Sequence, residues 1–217
     1  MRKLYIIGAR GCGREVYNFF QELKEQLKNC KDNYLNDVEC AGFLDDKSNA
    51  LEGFIGYPPV VCSVEEYQPG DNDVFICALG DPKWVRHYTG IIESKNGNFI
   101  SLISPYASIG KNTKIGDGSI IPGWTAISCD VLLGRHTYVG VFCDLGHDVR
   151  VGDCCHIGAY TFIGGGAYLG NCVTSHPRVN ILPHKKIGDN AVLGAASVVI
   201  RNVKADTTVF GVPAKTI

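Results

Sequence analysis

The chain has 217 residues, 45% of them hydrophobic and 20% charged, which is typical of a globular protein of one or two domains and excludes a disordered chain. A formal net charge of −1 gives no electrostatic reason to expect nucleic acid or an anionic membrane as a partner. No apolar run approaches the ~18 residues of a membrane span, and the first apolar stretch is too short for a secretory signal. The ten cysteines contain no C-x-x-C pair. We therefore expect a cytoplasmic protein with reduced cysteines and no metal.

The first predicted element is a short buried strand at Lys3–Ile7, followed by a glycine-rich turn and an amphipathic helical pattern. Such a turn brings backbone N–H groups and the positive end of a helix to one point, where a phosphate could bind. The spacing is G-x-x-G-x-G and not G-x-G-x-x-G, which disfavours a nicotinamide cofactor. A plain tight turn is the alternative. The candidate substrate-binding residues of this turn are Gly8, Ala9, Arg10, Gly11 and Gly13.

Two further strands are predicted at Cys40–Leu44 and Asp73–Leu79, the second followed by a helix. Strands that alternate with helices predict a small Rossmann-like parallel α/β sheet, whose loops meet in one crevice at the carboxyl ends of the strands. Acidic residues after the second strand of such folds hold a ribose or a base edge, although solvated charges that open a loop would look the same. The candidate residues at these strand ends are Asp45, Asp46, Lys47 and Gly80.

From Ile103 to Val199 the sequence repeats every six residues. Sixteen of the seventeen leading positions are aliphatic, the following position is Gly in eleven of them, and the residue four places after the lead is nearly always small. This period fits neither a helix nor a hairpin and is the hexapeptide signature of a parallel β-helix with three strands in each coil of eighteen residues. The lead should point inward, the small residue should pack beneath the next corner, and Gly should relieve the turn.

The sequence therefore predicts two domains, an α/β domain over residues 1–102 and a β-helix over residues 103–217. Seventeen repeats make nearly six coils, a three-sided column roughly 27 Å tall at about 4.8 Å per strand spacing. Only the outward side chains of such a column are free to carry chemistry.

Both halves resemble the hexapeptide-repeat sugar acetyltransferases, in particular the group that joins a nucleotide-sugar-binding α/β domain to a left-handed β-helix. That group includes N-acetyltransferases of nucleotide-linked amino sugars and O-acetyltransferases of sialic acid. The matching segments are Gly8–Gly13, Phe43–Asp46, Ala78–Asp81, Gly146–Asp148 and Gly211–Lys215. The resemblance implies the left hand of the helix, acetyl-coenzyme A as co-substrate, a sugar or nucleotide sugar as acceptor, and a homotrimer in which neighbouring subunits complete each site.

Acetyl transfer from a thioester needs a base for the nucleophile and donors for the oxyanion. The resemblance implies that His147 is the base, and its chemistry suits this role because a free imidazole has a pKa of about 6.5. Asp148 would fix the tautomer of the ring, with Asp144 as the alternative. The other interpretation of His147 is a solvated histidine in a turn. Gly165 is eighteen residues later, so it should lie one coil above His147 and offer its N–H to the thioester carbonyl. The other residues implied to bind acetyl-coenzyme A are His156, which could instead be a packing or trimer-contact residue, and Lys215 near the phosphates.

Two departures from the family pattern bear on these expectations. Gly140 stands where the family often has Asn, seven residues before the catalytic histidine, and this leaves acceptor placement open. The pair Ser175-His176 replaces the usual aliphatic-Gly pair but keeps the six-residue phase, so it need not be a loop, although its contacts with the coenzyme could differ.

The expected function is N-acetylation of an amino sugar linked to a nucleotide, for surface glycan biosynthesis. O-acetylation of sialic acid or another sugar hydroxyl is the first alternative, and a non-catalytic sugar-nucleotide-binding protein is the second. A γ-type carbonic anhydrase on the same column is disfavoured, because it needs converging histidines and the five histidines of the repeat region include no pair with suitable spacing.

Overall fold

The computed structural model describes residues 1–217 and divides into two compact units. The first unit comprises residues 1–80 and 84–101, and the second comprises residues 81–83 and 102–217. Neither of the chain's two α-helices qualifies as a membrane-spanning segment.

The first unit is a five-stranded parallel sheet in the order β3-β2-β1-β4-β5. Its elements are β1 (Arg2–Ile7), α1 (Gly11–Leu27), β2 (Val38–Leu44), β3 (Val60–Cys62), β4 (Asp73–Cys77), α2 (Pro82–Ser94) and β5 (Asn98–Phe99). The three strands and two helices predicted from the sequence are present, with β4 two residues shorter than predicted. The edge strands β3 and β5 were not predicted, because three and two residues are too few to show a period.

The second unit is a column of short strands at six-residue intervals, and the predicted fold class, a small α/β domain followed by a left-handed parallel β-helix, is confirmed. Its strands are β6 (Leu102–Ile103), β7 (Ser108–Ile109), β8 (Lys114–Ile115), β9 (Ile120–Ile121), β10 (Ala126–Ile127), β11 (Leu132–Leu133), β12 (Tyr138–Val139), β13 (Asp144–Leu145), β14 (Arg150–Val151), β15 (His156–Ile157), β16 (Phe162–Ile163), β17 (Tyr168–Leu169), β18 (Thr174–Ser175), β19 (Asn180–Ile181), β20 (Lys186–Ile187), β21 (Val192–Leu193), β22 (Val198–Val199), β23 (Thr208–Phe210) and β24 (Lys215–Thr216).

These strands form three sheets, which we number as faces in the order the chain visits them. Face 1 contains β6, β9, β12, β15, β18, β21, β23 and β24; face 2 contains β7, β10, β13, β16, β19 and β22; face 3 contains β8, β11, β14, β17 and β20. Through β22, strands on one face pair in parallel at a spacing of eighteen residues, as in Ala126 with Asp144 and Asp144 with Phe162. From β9 to β22 the second residue of each strand is buried in the column, and Leu145, Ile163 and Ile181 are fully buried. The Ser175 repeat forms β18 in phase with its neighbours.

The explanation predicted for the repeated glycine is wrong. Glycines at the position after the lead, such as Gly146 and Gly164, do not have a positive φ; a Cβ on Gly146 would stand 2.6 Å from the backbone nitrogen of Gly165 in the next coil. These glycines are therefore required by the close approach of successive coils. The left-handed backbone conformation occurs two residues later, three after the lead, at every sixth residue from Asn112 to Ala196.

The carboxyl-terminal end of the column is closed by backbone pairing on all three faces. On face 1, β24 pairs antiparallel with β23. On face 2, Val198 donates its N–H to the Gly211 carbonyl and accepts from the Ala214 N–H, at 3.0 and 2.8 Å. On face 3, the backbone of Val203 bridges to Ile187 beside β20. The chain after β22 therefore covers the N–H and C=O groups at the outer edges of β20, β22 and β23, the last parallel strand on each face.

Candidate active site and nucleotide site

His147 lies at the corner between β13 on face 2 and β14 on face 3, in the left-handed turn that ends each strand. Its Nδ1 is 2.7 Å from Oδ2 of Asp148, and both side chains are about two-thirds exposed, at 63% and 66%. An ionised carboxylate can only accept, so Asp148 selects the tautomer with the proton on Nδ1. Nε2 then keeps its lone pair, which is the state a general base needs. Asp144 makes no hydrogen bond or ion pair with the ring.

Gly165 lies directly above His147 in the next coil. A Cβ on Gly165 would stand 2.8 Å from His147 Nε2 and 2.9 Å from its Cε1, so only glycine leaves room for the imidazole there. The two coils are also joined at this corner, because the N–H of Gly166, the next residue, donates to the His147 carbonyl at 2.8 Å. The base and this glycine therefore form one continuous surface at the corner.

The N–H of Gly165 makes no hydrogen bond, in contrast to equivalent positions on another corner. Between faces 3 and 1, the N–H groups of Arg135, Asp153 and Asn171 each donate to a side-chain oxygen of the residue eighteen positions later, at 2.8 to 2.9 Å. The residue eighteen positions after Gly165 is Pro183, which has no side-chain oxygen. An amide donor next to the base is thus left available for an oxyanion.

His156 does not lie at this corner. It begins β15 on face 1, which is the face opposite the corner between faces 2 and 3. Its ring stacks on Tyr138 with centroids 4.8 Å apart, and its Nδ1 is buried without a hydrogen-bond partner. Burial lowers the pKa of His156, with a smaller contribution from nearby His176. Within one chain, His147 and His156 therefore do not act on the same atom.

Lys215 is exposed on β24, opposite Phe210 on β23 in face 1. It shares that face with His156, while Gly165 lies at the opposite corner. The three residues expected to contact acetyl-coenzyme A therefore fall into two groups within one chain.

The glycine turn after β1 is shaped by two of the predicted residues. Gly8 has φ +93°, and the helix start packs so closely on the strand end that a Cβ on Gly13 would overlap the Gly8 carbonyl oxygen. The backbone conformation at Gly8 and the close packing at Gly13 thus both favour glycine in this turn. No side chain caps α1, whose first turn carries no acidic residue, so the N–H groups around Gly11 remain available to an anion.

The turn after β1 lies at the point where the sheet order reverses, because β2 extends the sheet on one side of β1 and β4 extends it on the other. Ligands of open α/β sheets bind at this switch point. Gly80 lies in the loop after β4 at the same switch point, and a Cβ on it would meet no atom within 4 Å. The Arg10 and Lys47 side chains in the neighbouring loops are exposed. The predicted loops are therefore assembled on one edge of the sheet.

Asp45 and Asp46 have different surroundings. The Asp45 carboxylate accepts from the N–H of Ala9 at 2.9 Å and from the N–H of Lys47 at 3.0 Å, so it holds the turn in shape. Asp46 accepts only from the Tyr88 hydroxyl, at 2.9 Å, and is exposed. Tyr88, on α2, is not among the predicted site residues, because no local sequence signal connects it with a residue 42 positions earlier.

A cleft of about 630 Å³ opens beside Asp45 and Asp46. Its remaining lining comes from Ser48, Val60, Val61, Cys62, Ser63, Glu65 and Glu66. Four carboxylates make this cleft repulsive to phosphates and suitable for the hydroxyl and N–H donors of a ribose or base. No group of three or more His, Cys, Asp or Glu residues is placed to hold a metal ion.

Comparison with known proteins agrees with both halves of the chain. Residues 3–88 match the family described as the PglD N-terminal domain, and residues 130–165 match the bacterial transferase hexapeptide (six repeats). UDP-N-acetylbacillosamine N-acetyltransferase of Bacillus subtilis is 26% identical over 125 residues, 56% of this chain and 51% of that protein. The resemblance to hexapeptide-repeat sugar acetyltransferases is confirmed. The chain spans about half the length of this curated relative.

Solved structures share the whole architecture. PerB of Caulobacter crescentus, determined with CoA and GDP-perosamine, superposes with a TM-score of 0.82 at 22% identity, over 100% of this chain and 98% of that one. The acetyltransferase domain of PglB from Neisseria gonorrhoeae gives a TM-score of 0.75 at 22% identity, over 100% of both chains. At this level of identity the likeness concerns the fold.

Proposed function

We propose that the protein is an acetyl-CoA-dependent N-acetyltransferase that acts on an amino sugar linked to a nucleotide, in the cytoplasm and as a homotrimer. The observation that carries the proposal is the corner at which the His147–Asp148 pair lies beside Gly165, whose N–H makes no hydrogen bond. The CoA and GDP-perosamine bound to the similar PerB and the activity of the Bacillus subtilis relative support the choice of substrates. The charge balance gives no reason to add nucleic acid or a membrane as a partner.

In the proposed reaction, the amine of the sugar attacks the thioester carbonyl of acetyl-CoA. His147 Nε2 accepts the proton that the amine loses, while Asp148 stabilises the imidazolium through Nδ1. The Gly165 N–H donates to the carbonyl oxygen as negative charge develops on it. When the carbon–sulfur bond breaks, the thiolate of CoA takes a proton from His147, so the base is restored and the products are the N-acetyl sugar and free CoA.

The α/β domain would hold the nucleotide. The N–H groups around Gly11 and the exposed Arg10 suit the diphosphate, because both offer positive potential. Asp46 and the acidic cleft suit the ribose and base, whereas the Asp45 carboxylate acts by shaping the turn. Lys47 and Gly80, beside the same loops, complete the proposed set.

Two features of the same site support the proposed trimer. His147 and Asp148 are two-thirds exposed in one chain, although acyl transfer benefits from the exclusion of water. His156 and Lys215 lie on the face opposite the His147 corner, so they could contact an acetyl-CoA bound there only from a neighbouring subunit. Association of subunits would thus cover the base and bring the remaining predicted residues to it.

The test is acetyl transfer to a panel of UDP-, GDP- and dTDP-linked 4-amino sugars, followed by thiol release and product mass. We expect turnover with one nucleotide class, and a fall in kcat of about 10²- to 10⁴-fold in His147→Gln. Asp148→Asn should lower kcat by about five- to tenfold, because the exposed His147–Asp148 pair is weakly coupled. The control Asp144→Asn should have the kcat of the wild type. Activity on free sialic acid alone would favour O-acetylation, and full activity of His147→Gln would refute the base.

A further inference from the structure

The two carboxylates that follow β2 differ in how many of their oxygens are already bonded. Both oxygens of Asp45 accept from the backbone, Oδ2 from the N–H of Ala9 and Oδ1 from the N–H of Lys47. Asp46 accepts from the Tyr88 hydroxyl on Oδ2 at 2.9 Å, and its Oδ1 makes no hydrogen bond. A carboxylate oxygen can only accept, so Oδ1 of Asp46 is the acceptor that this pair leaves open to a ligand.

The ring of Tyr88 is itself held in place by its neighbours on α2. It stacks on Trp84 with centroids 5.8 Å apart and planes 26° apart, and it meets the His87 ring at 5.0 Å and 68°. Val85 and Thr89 on the other side of the helix are buried, so α2 is anchored to the rest of the domain. A hydroxyl on a ring packed in this way loses little freedom when it donates a hydrogen bond.

The Tyr88 hydroxyl stays a donor at any physiological pH. Burial and the hydrogen bond to Asp46 raise the pKa of Tyr88 to about 12, and the charges of nearby carboxylates add to the effect. These carboxylates are Asp46 itself, Glu65 and Asp45, all of which line the acidic cleft. A protonated hydroxyl among these negative charges offsets part of their repulsion and favours one orientation of Asp46.

We propose that Tyr88 is a positioning residue for the nucleotide, which holds Asp46 so that Oδ1 accepts a hydrogen bond from the nucleoside part of the substrate. The donor is an O–H of the ribose or an N–H of the base, because a carboxylate repels phosphates. Asp46 lines the cleft and Tyr88 does not, so Tyr88 acts through Asp46. The inference rests on the nucleotide site of the proposed function and deepens it by assigning the residue that orients its acceptor.

The test measures the binding of UDP, GDP and dTDP to the wild type, to Tyr88→Phe and to a matched control by isothermal titration calorimetry. Phenylalanine keeps the ring and its packing against Trp84 and His87 and removes only the hydroxyl. The control Tyr34→Phe removes a tyrosine hydroxyl from the same domain, at the opposite end of the strands, since the Tyr34 carbonyl accepts from Arg2 where β1 begins. Thermal unfolding of each protein checks the fold.

We expect Tyr88→Phe to raise the dissociation constant about tenfold and Tyr34→Phe to bind like the wild type. In steady-state acetyl transfer, the KM for the nucleotide sugar should rise by the same factor while kcat and the KM for acetyl-CoA stay unchanged. This split is expected because the ground state and the transition state lose the same contact. An equal factor for the nucleotides that bind assigns the donor to the sugar, which is the part they share, and a factor confined to one nucleotide assigns it to the base.

A double-mutant cycle with Asp46→Ala tests whether Tyr88 acts through Asp46. Once the carboxylate is removed, Tyr88→Phe should not change the dissociation constant further. The same loss of about tenfold in both backgrounds would overturn the positioning role, because Tyr88 would then bind the nucleotide directly. Wild-type affinity in Tyr88→Phe would overturn the inference and leave the proposed function intact, whereas a wild type that binds none of the nucleotides would overturn both.

Discussion

The substitution Gly165→Ala tests the proposed site with the smallest possible change. The new Cβ would stand 2.8 Å from His147 Nε2, whereas non-bonded heavy atoms normally keep about 3.5–4.0 Å. The imidazole must therefore retreat by roughly 0.7 Å or more. The main-chain N–H of residue 165 is unchanged, so the substitution moves the base without removing the proposed oxyanion donor.

The expected effect on catalysis is large and the effect on folding is small. A misplacement of about 1 Å at a reacting group costs about 100-fold, so we expect kcat to fall by about 30- to 100-fold. Gly165 does not have a positive φ, and the His147 side chain is 63% exposed and can swing aside. The free energy of unfolding should therefore change by less than about 0.5 kcal/mol.

The assay is steady-state thiol release with the acceptor found in the nucleotide-sugar panel, repeated in a His147→Ala background. If alanine acts by displacing the imidazole, Gly165→Ala should have little further effect once the imidazole is gone. Full kcat in Gly165→Ala would refute the proposed geometry. If Gly165→Ala lowered kcat by the same factor of about 30 to 100 in both backgrounds, displacement of the His147 imidazole would not be the cause of the effect.

Three further measurements test the fold and its pH dependence. Gly13→Ala should lower the free energy of unfolding of the α/β domain, measured in urea, by about 3 kcal/mol, because its Cβ would overlap the Gly8 carbonyl. The control Gly11→Ala has open space around its Cβ and should change this free energy by less than about 0.5 kcal/mol. Equal losses in the two variants would contradict this packing. Burial lowers the pKa of His156 from 6.5, so the folded state resists protonation of this ring. The free energy of unfolding that this group contributes above about pH 6.5 should therefore be lost as the pH falls through the lowered pKa. Over the same fall in pH, the Tm of His156→Gln should decrease less than that of the wild type. Gly90→Ala, inside α2 with no atom near its Cβ, should stabilise by about 0.5–1 kcal/mol, and a loss would reveal a hidden contact.

The column could be predicted from the sequence because its signal is non-local and redundant. Every sixth residue from Ile103 to Val199 repeats one environment, so single exceptions such as Ser175 do not disturb the register. The conformation of the corners could not be predicted in the same way. Trp124 and Phe142 adopt φ values of 63° and 56° against their own preference, because closure of each coil fixes the turn whichever residue stands there.

The candidate site could be predicted only where the period determines position. Eighteen residues separate His147 from Gly165, and the structure places them in contact distance. Nine residues, half a coil, separate His147 from His156, and the structure places His156 on the side of the column opposite the His147 corner. Asp45 shows the other limit, since its bond to the Ala9 N–H spans 36 positions and carries no local signal.

The closed upper end of the column limits how these molecules can polymerise. Parallel strands that end in bare N–H and C=O groups would let a second column continue the first, coil upon coil, into a fibre. Here the segment from Val203 to Thr216 occupies those groups on every face. A second column therefore cannot pair with the last parallel strands at this end of the axis, and the sides of the column remain for specific contacts between molecules.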